Sequence, residues 1–196
     1  MKKVFLSIAL ITAFGVANAQ EGFSKGNTFL TGSLGISSQN DKDFEEKSNS
    51  TTFTVGVGHF LSDNVAVGVN LGIGSAKTTL VSVTTEETSA MAVGAFGRYY
   101  FSPKSKFSMF GHLGVNYLSG TDKLAEPDLK VTGMDIFAAP GFNYFVSKNL
   151  SLEAVIGRIG YTSIKASSGS VNAKGTTGFD FGIDLTNVTF GMNLRF

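Results

Sequence analysis

Four ionisable residues, Arg98, His112, Asp135 and Glu153, stand in segments that are otherwise poor in charge. Facing one narrow pore, an arginine, a histidine and two carboxylates would make a gate or a proton-sensitive constriction. Paired with one another they would instead form a structural ion network, which is the expectation because unpaired charge in so tight a space is costly. GIGSAKTT, residues 72–79, has the outline of a phosphate loop. The position before Lys77 is Ala76, however, and the earlier glycine of that motif is missing, so no nucleotide site is expected. Asp41, Asp43, Glu45 and Glu46 suggest calcium, but no glycine shapes an EF-hand loop and Lys42 and Lys47 interleave; a solvated face is the simpler reading. The two histidines are His59 and His112. His112 lies mid-strand with no serine motif beside it to supply a nucleophile, and His59 ends a strand by a tight turn. No catalytic, cofactor-binding or metal-binding residue is assigned, and an enzyme is not expected.

These side chains need elements to hold them, and composition narrows the choice. Gly accounts for 24 of 196 residues and Phe for 18, with no Trp and only 3 Pro. That mixture is poor for helices, and at 42% hydrophobic it is too apolar for disorder. The absence of Cys excludes disulfides, thiolate metal sites and a lipoprotein anchor. Charge is close to balanced, so no nucleic-acid partner is implied. At the start, MKKVFLSIALITAFGVANAQ joins a basic pair, an apolar run and the small-residue site Ala17-Asn18-Ala19. This reads as a signal peptide over residues 1–19, cut so that the mature chain begins at Gln20. Its apolar run is shorter than the ~20 residues a membrane helix needs. No later stretch is apolar for long enough, so any membrane crossing must use strands.

The mature chain, 20–196, alternates with period two. Asn64 to Gly74 places Val65, Val67, Val69, Leu71 and Ile73 on one face and small or polar residues on the other. Similar segments run over 28–36, 52–59, 91–101, 107–117, 134–146, 150–156 and 188–196. Tight turns at 61–64, 102–106 and 147–149 alternate with long polar stretches at 38–50, about 75–89, 119–130 and about 163–176. This implies an all-β fold: an eight-stranded antiparallel up-and-down barrel with short turns at one rim and long loops at the other. Its polarity is inverted relative to a soluble barrel. One face carries aliphatic and aromatic residues; the other carries Gly, Ser, Thr, Asn and the four charges. Eight strands enclose only enough room for side chains, so the small polar face fits the lumen and the apolar face fits lipid. Phe96, Phe110, Phe137 and Phe145 share the inner face and favour a plug, whereas its many glycines favour an open path. Tyr99, Phe101, Phe107, Tyr117 and Tyr144 suit an interfacial girdle. Two parities conflict: Arg158 would face lipid without a bulge after Ile156, and Phe179 to Leu185 require one near Thr186-Asn187.

The signal peptide, eight strands, short–long alternation and Phe-terminated last strand resemble the small outer-membrane β-barrels of Gram-negative bacteria, of the OmpA-barrel, OmpX and OmpW type. The resemblance implies an outer-membrane location, in contact with outer-membrane lipids and lipopolysaccharide. It also implies that Val188, Phe190, Met192, Leu194 and Phe196 form the signal read by the barrel-assembly machinery. Since the chain ends on that strand, no periplasmic peptidoglycan-binding domain is expected. The implied role is a structural or surface-interaction scaffold whose four loops meet an extracellular partner. The alternative is a narrow, porin-like channel for small or apolar solutes, followed by a lipid A-modifying enzyme.

Overall fold

The computed structural model describes residues 22–41, 46–80, 83–122, 129–168, 171–172, 175–182 and 188–196. The signal-peptide region, including Ala17, Ala19 and Gln20, lies outside the described residues, as do Asp43 and Glu45 of the acidic cluster. The strands are β1 (Thr28–Asp41), β2 (Glu46–Phe60), β3 (Val65–Leu80), β4 (Val83–Tyr100), β5 (Phe107–Asp122) and β6 (Leu129–Phe145). They continue with β7 (Leu150–Ile156), β8 (Arg158–Ser168), the two-residue β9 (Val171–Asn172), β10 (Thr176–Gly182) and β11 (Val188–Arg195). β1 to β6 pair antiparallel in chain order, β7 and β8 both pair with β6, and β11 pairs with β7 and closes on β1. β7 with β8, and β10 with β11, each make one stave, which gives a closed barrel of eight staves.

The outward face is the apolar one. Val69, Leu71 and Ile73 on β3 are 62%, 46% and 57% exposed, whereas Phe96, Arg98 and Tyr100 on the inner face of β4 are buried. A monomeric soluble protein would not display a continuous apolar belt, but one in lipid requires it. Phe107 stacks on Phe142 and Tyr99 meets Phe101 edge-on among the outward rings near the short turns. This is the aromatic girdle of a membrane interface.

The strands are longer than the alternation alone suggests. β3, β4, β5 and β6 run 16, 18, 16 and 17 residues. About 10 residues at ~3.3 Å each, tilted about 45°, already cross the ~25 Å apolar band. The excess belongs to hairpins that continue beyond it, so much of 38–50, 75–89 and 119–130 is strand rather than loop. Above the band both faces meet water, so the hydrophobic period disappears from the sequence while the hydrogen-bond ladder continues. Lys77 opposite Glu87 in the β3–β4 register is typical of this region.

The conflict at Arg158 is resolved by a bulge. Gly157 takes a φ of 68° between β7 and β8, a left-handed conformation that favours glycine. The register to β6 slips by one residue there, from Gly141↔Val155 to Ala138↔Ile159. A one-residue slip exchanges the two faces, so Arg158 points into the lumen. The bulge expected near Thr186-Asn187 lies outside the described residues.

Candidate functional site: the barrel lumen

Three layers fill the lumen. At the short-turn end Phe23, Phe29, Phe60, Tyr100, Phe110 and Phe145 pack into a buried aromatic cluster. Phe23 is its hub, with ring centroids 4.6 Å from Phe60, 4.9 Å from Phe145 and 5.0 Å from Tyr100. It belongs to the segment 22–27, which folds under the barrel. The Phe23 amide donates to Pro103 O at 2.7 Å, the Gly26 amide to Phe60 O at 2.9 Å, and Arg195 Nη1 to Gly22 O. Gly22 has φ 104°, and a Cβ there would run into Pro103 O, so this anchor needs glycine. Nearby, the Asp63 carboxylate accepts the Lys25 amide at 3.0 Å and pairs with Lys104 at 2.7 Å. The Lys104 ammonium, and then the Lys25 N–H, hold the Asp63 carboxyl below the ordinary carboxylate range.

Above the rings lies the ion layer. Arg98 on β4 reaches Glu153 on β7 with Nη1 at 2.6 Å and Nη2 at 3.2 Å, a bidentate pair with both partners buried. Asn193 Nδ2 donates to Glu153 Oε2 at 2.8 Å, and Thr31 Oγ1 to Oε1 at 3.3 Å. The guanidinium lies over Phe110 at 4.9 Å and Phe96 at 5.1 Å. Its Nε donates to His112 Nδ1 at 3.1 Å, and the imidazole stacks between Phe96 and Phe137 with centroids 5.4 and 5.3 Å away. A guanidinium only donates, so Nδ1 is the acceptor and the N–H is on Nε2.

The third layer is a cavity of about 620 Å³ on the long-loop side of the ion pair. Here Asp135 forms a separate cluster. It accepts Arg158 Nη2 at 2.5 Å, Thr162 Oγ1 at 3.0 Å and Asn116 Nδ2 at 3.4 Å. Arg158 Nε also donates to Asp180 at 2.6 Å. The four residues singled out by type thus all lie on the inner face, but in two clusters: Arg98, His112 and Glu153 together, Asp135 with Arg158. Arg158, whose parity called for a bulge after Ile156, is turned into this cluster by the Gly157 bulge, whereas Asp180 escaped the sequence reading. Of the plug, Phe29, Phe60 and Tyr100 were readable as large rings on otherwise small inner faces; Phe23, before any strand, left no periodic signal. In the last strand Phe190 and Met192 face outward, and Phe196 exchanges backbone hydrogen bonds with Thr28 at 2.9 and 3.1 Å.

Solved structures share this architecture. The outer membrane protein OprG from Pseudomonas aeruginosa superposes with a TM-score of 0.59 at 16% identity, covering 91% of this chain and 99% of that one. Neisserial surface protein A gives 0.53 at 12% identity, covering 88% and 100%. The N-terminal barrel of Pseudomonas aeruginosa OprF gives 0.52 at 11%, covering 88% and 99%. At such identities the likeness is one of fold. No curated protein sequence matches the chain. The family model of the outer membrane protein beta-barrel domain matches residues 6–196. An inverted-polarity barrel of eight staves and a family match over nearly the whole chain lead to one conclusion: this protein belongs to the outer membrane protein beta-barrel domain family.

Proposed function

We propose that the protein is a non-conducting surface scaffold of the outer membrane, a stiff barrel that carries its long hairpins outward to an extracellular partner. The observation that supports this is the obstruction of the lumen: six buried rings and a bidentate Arg98–Glu153 pair lie across it in succession. Opening such a path would expose a desolvated ion pair and the packed rings, each costly to disrupt. In this reading the belt contacts outer-membrane lipid and lipopolysaccharide, and residues 1–19 are the export signal removed before Gln20. The strand ending Val188, Phe190, Met192, Leu194, Phe196 is the segment the barrel-assembly machinery recognises, because an uncovered strand edge can pair with another edge.

The lumen chemistry agrees with a role without catalysis. His112 is held by Arg98 between two phenyl rings, and His59 Nδ1 lies 3.0 Å from Thr28 Oγ1 at the opposite end from the long hairpins. The 620 Å³ cavity favours the second reading, a narrow channel, which requires the aromatic layer to move aside. Planar-bilayer recording of the refolded protein separates the two, with heat-shifted gel mobility to verify barrel closure. The expected trace is silent; discrete steps from a closed barrel, altered by Glu153→Ala, would reverse the order of the readings.

A further inference from the structure

The short-turn rim differs from one side of the barrel to the other. On the β4–β6 side its outward face is aromatic, with Tyr99, Phe101, Phe107 and Tyr144 all exposed. Phe107 lies opposite Tyr144 in register and stacks on Phe142 at 5.8 Å. The two turns that border these rings, 101–106 and 146–149, contain Lys104, Lys106 and Lys148 and no acidic residue. The turn after β2, 61–64, has the opposite character, with Asp63 and no basic residue.

The asymmetry centres on Lys106. Its carbonyl accepts the Phe145 amide at 2.8 Å, which fixes the residue beside the end of β6. Its ammonium lies 5.4 Å from the centroid of the outward Tyr144 ring. Lys104 is paired with Asp63 at 2.7 Å, whereas among the described residues Lys106 has no acidic partner. A lysine held over an aromatic girdle keeps its stem along apolar surface and its charge at head-group depth. There it meets lipid phosphate, and one lysine at an anionic membrane surface contributes roughly five-fold in affinity. A zwitterionic head group offsets its own phosphate with an ammonium, so Lys106 favours the lipid that lacks one. The rings beside it suit the ester region, where amphipathic aromatic side chains sit.

We propose that the β4–β6 sector of this rim is a head-group site for an anionic glycerophospholipid, with Lys106 on its phosphate and Tyr144 and Phe107 against its glycerol esters. The lipid belongs to the periplasmic half of the outer membrane, an assignment that rests on the reading of the short turns as the periplasmic rim.

The chain has no tryptophan, so a single introduced one reports its own lipid neighbours. Val146→Trp, exposed beside Tyr144, is refolded in vesicles that mix phosphatidylglycerol with phosphatidylcholine, one or the other brominated on its chains to quench tryptophan on contact. Quenching is expected to show a preference of about three-fold or more for phosphatidylglycerol. Lys106→Gln should abolish the preference and Lys106→Arg should keep it. Salt at about 1 M, where the screening length falls to ~3 Å, should abolish it in the unmodified rim, and replaces Lys106→Gln should that variant fail the heat-shift check. Leu30→Trp, exposed on β1 across the barrel, should show no preference. Equal quenching by the two lipids at Val146→Trp would overturn the site. An equal preference at Leu30→Trp, or one that survives Lys106→Gln, would overturn its assignment to this sector. Both leaflets carry the same mixture, so the result is independent of the periplasmic placement and of whether the lumen conducts.

Discussion

Arg98 and Glu153 illustrate how a buried pair is more sensitive to losing one partner than to losing both. Each is about 6% exposed, and their hydrogen bonds are largely to one another and to Asn193, Thr31, Tyr100 and His112. Glu153→Ala strands a guanidinium among phenyl rings and should destabilise the barrel by about 3–5 kcal/mol in urea titrations in lipid vesicles. Arg98→Met with Glu153→Leu removes both charges and should cost less than the single change; a double variant as unstable as the sum of two singles would contradict the pairing. Asp63 gives a residue-scale dependence on pH outside the membrane. Its carboxyl is held low by Lys104 and the Lys25 amide, so its contribution is complete above the ordinary value of ~3.9 and is lost as pH falls through the lower folded value. The protection factor of the Lys25 amide should therefore stay constant from pH 7 to 5 and fall only below about pH 4. Loss of protection already at pH 6 would refute that assignment.

At the scale of strands, the glycines of the inner face act as sockets. Phe29 lies opposite Gly58, Phe96 opposite Gly68, Phe110 opposite Gly141 and Phe137 opposite Gly114. In each pair a Cβ on the glycine would collide with the facing ring. The rings lie flat across the neighbouring strand because nothing projects from it, so the plug and the wall share one packing surface. Gly141→Ala should lower stability by about 1–3 kcal/mol through overpacking, measured by urea midpoint in vesicles. Gly111→Ala points outward into open space and should have almost no effect. Equal losses in the two variants would mean that the strand's general intolerance of substitution, rather than the ring, is responsible.

For the molecule as a whole, the short-turn end is tied shut by the aromatic layer and by the closing strand. Closure rests on β11, and Phe196, just past its end, exchanges two backbone hydrogen bonds with Thr28 while being 69% exposed itself. Phe196→Ala keeps both bonds and should leave the stability of the refolded barrel within about 0.5 kcal/mol, as for a surface change. If the terminal ring is an assembly address, the same variant should fall several-fold in outer-membrane abundance in cells. Unchanged abundance on membrane fractionation would leave the ring as part of the belt alone.

The strand period, the direction of the apolar face, the short–long rhythm of connections and the inner placement of Arg98, His112, Asp135 and Glu153 could all be read from the chain. Each depends on local alternation in an environment with two distinct sides. The need for a bulge after Ile156 was legible too, because an arginine facing lipid is too expensive to leave there. What only the tertiary structure decided depends on distance along the chain or on broken parity. The hairpins above the membrane carry no hydrophobic period, since water bathes both faces. Phe23 joins the plug through a turn held by Pro103 and Phe60, which no spacing announces. Glu153 chooses Arg98, and Asp135 chooses Arg158, according to stagger around the barrel and the slip at Gly157.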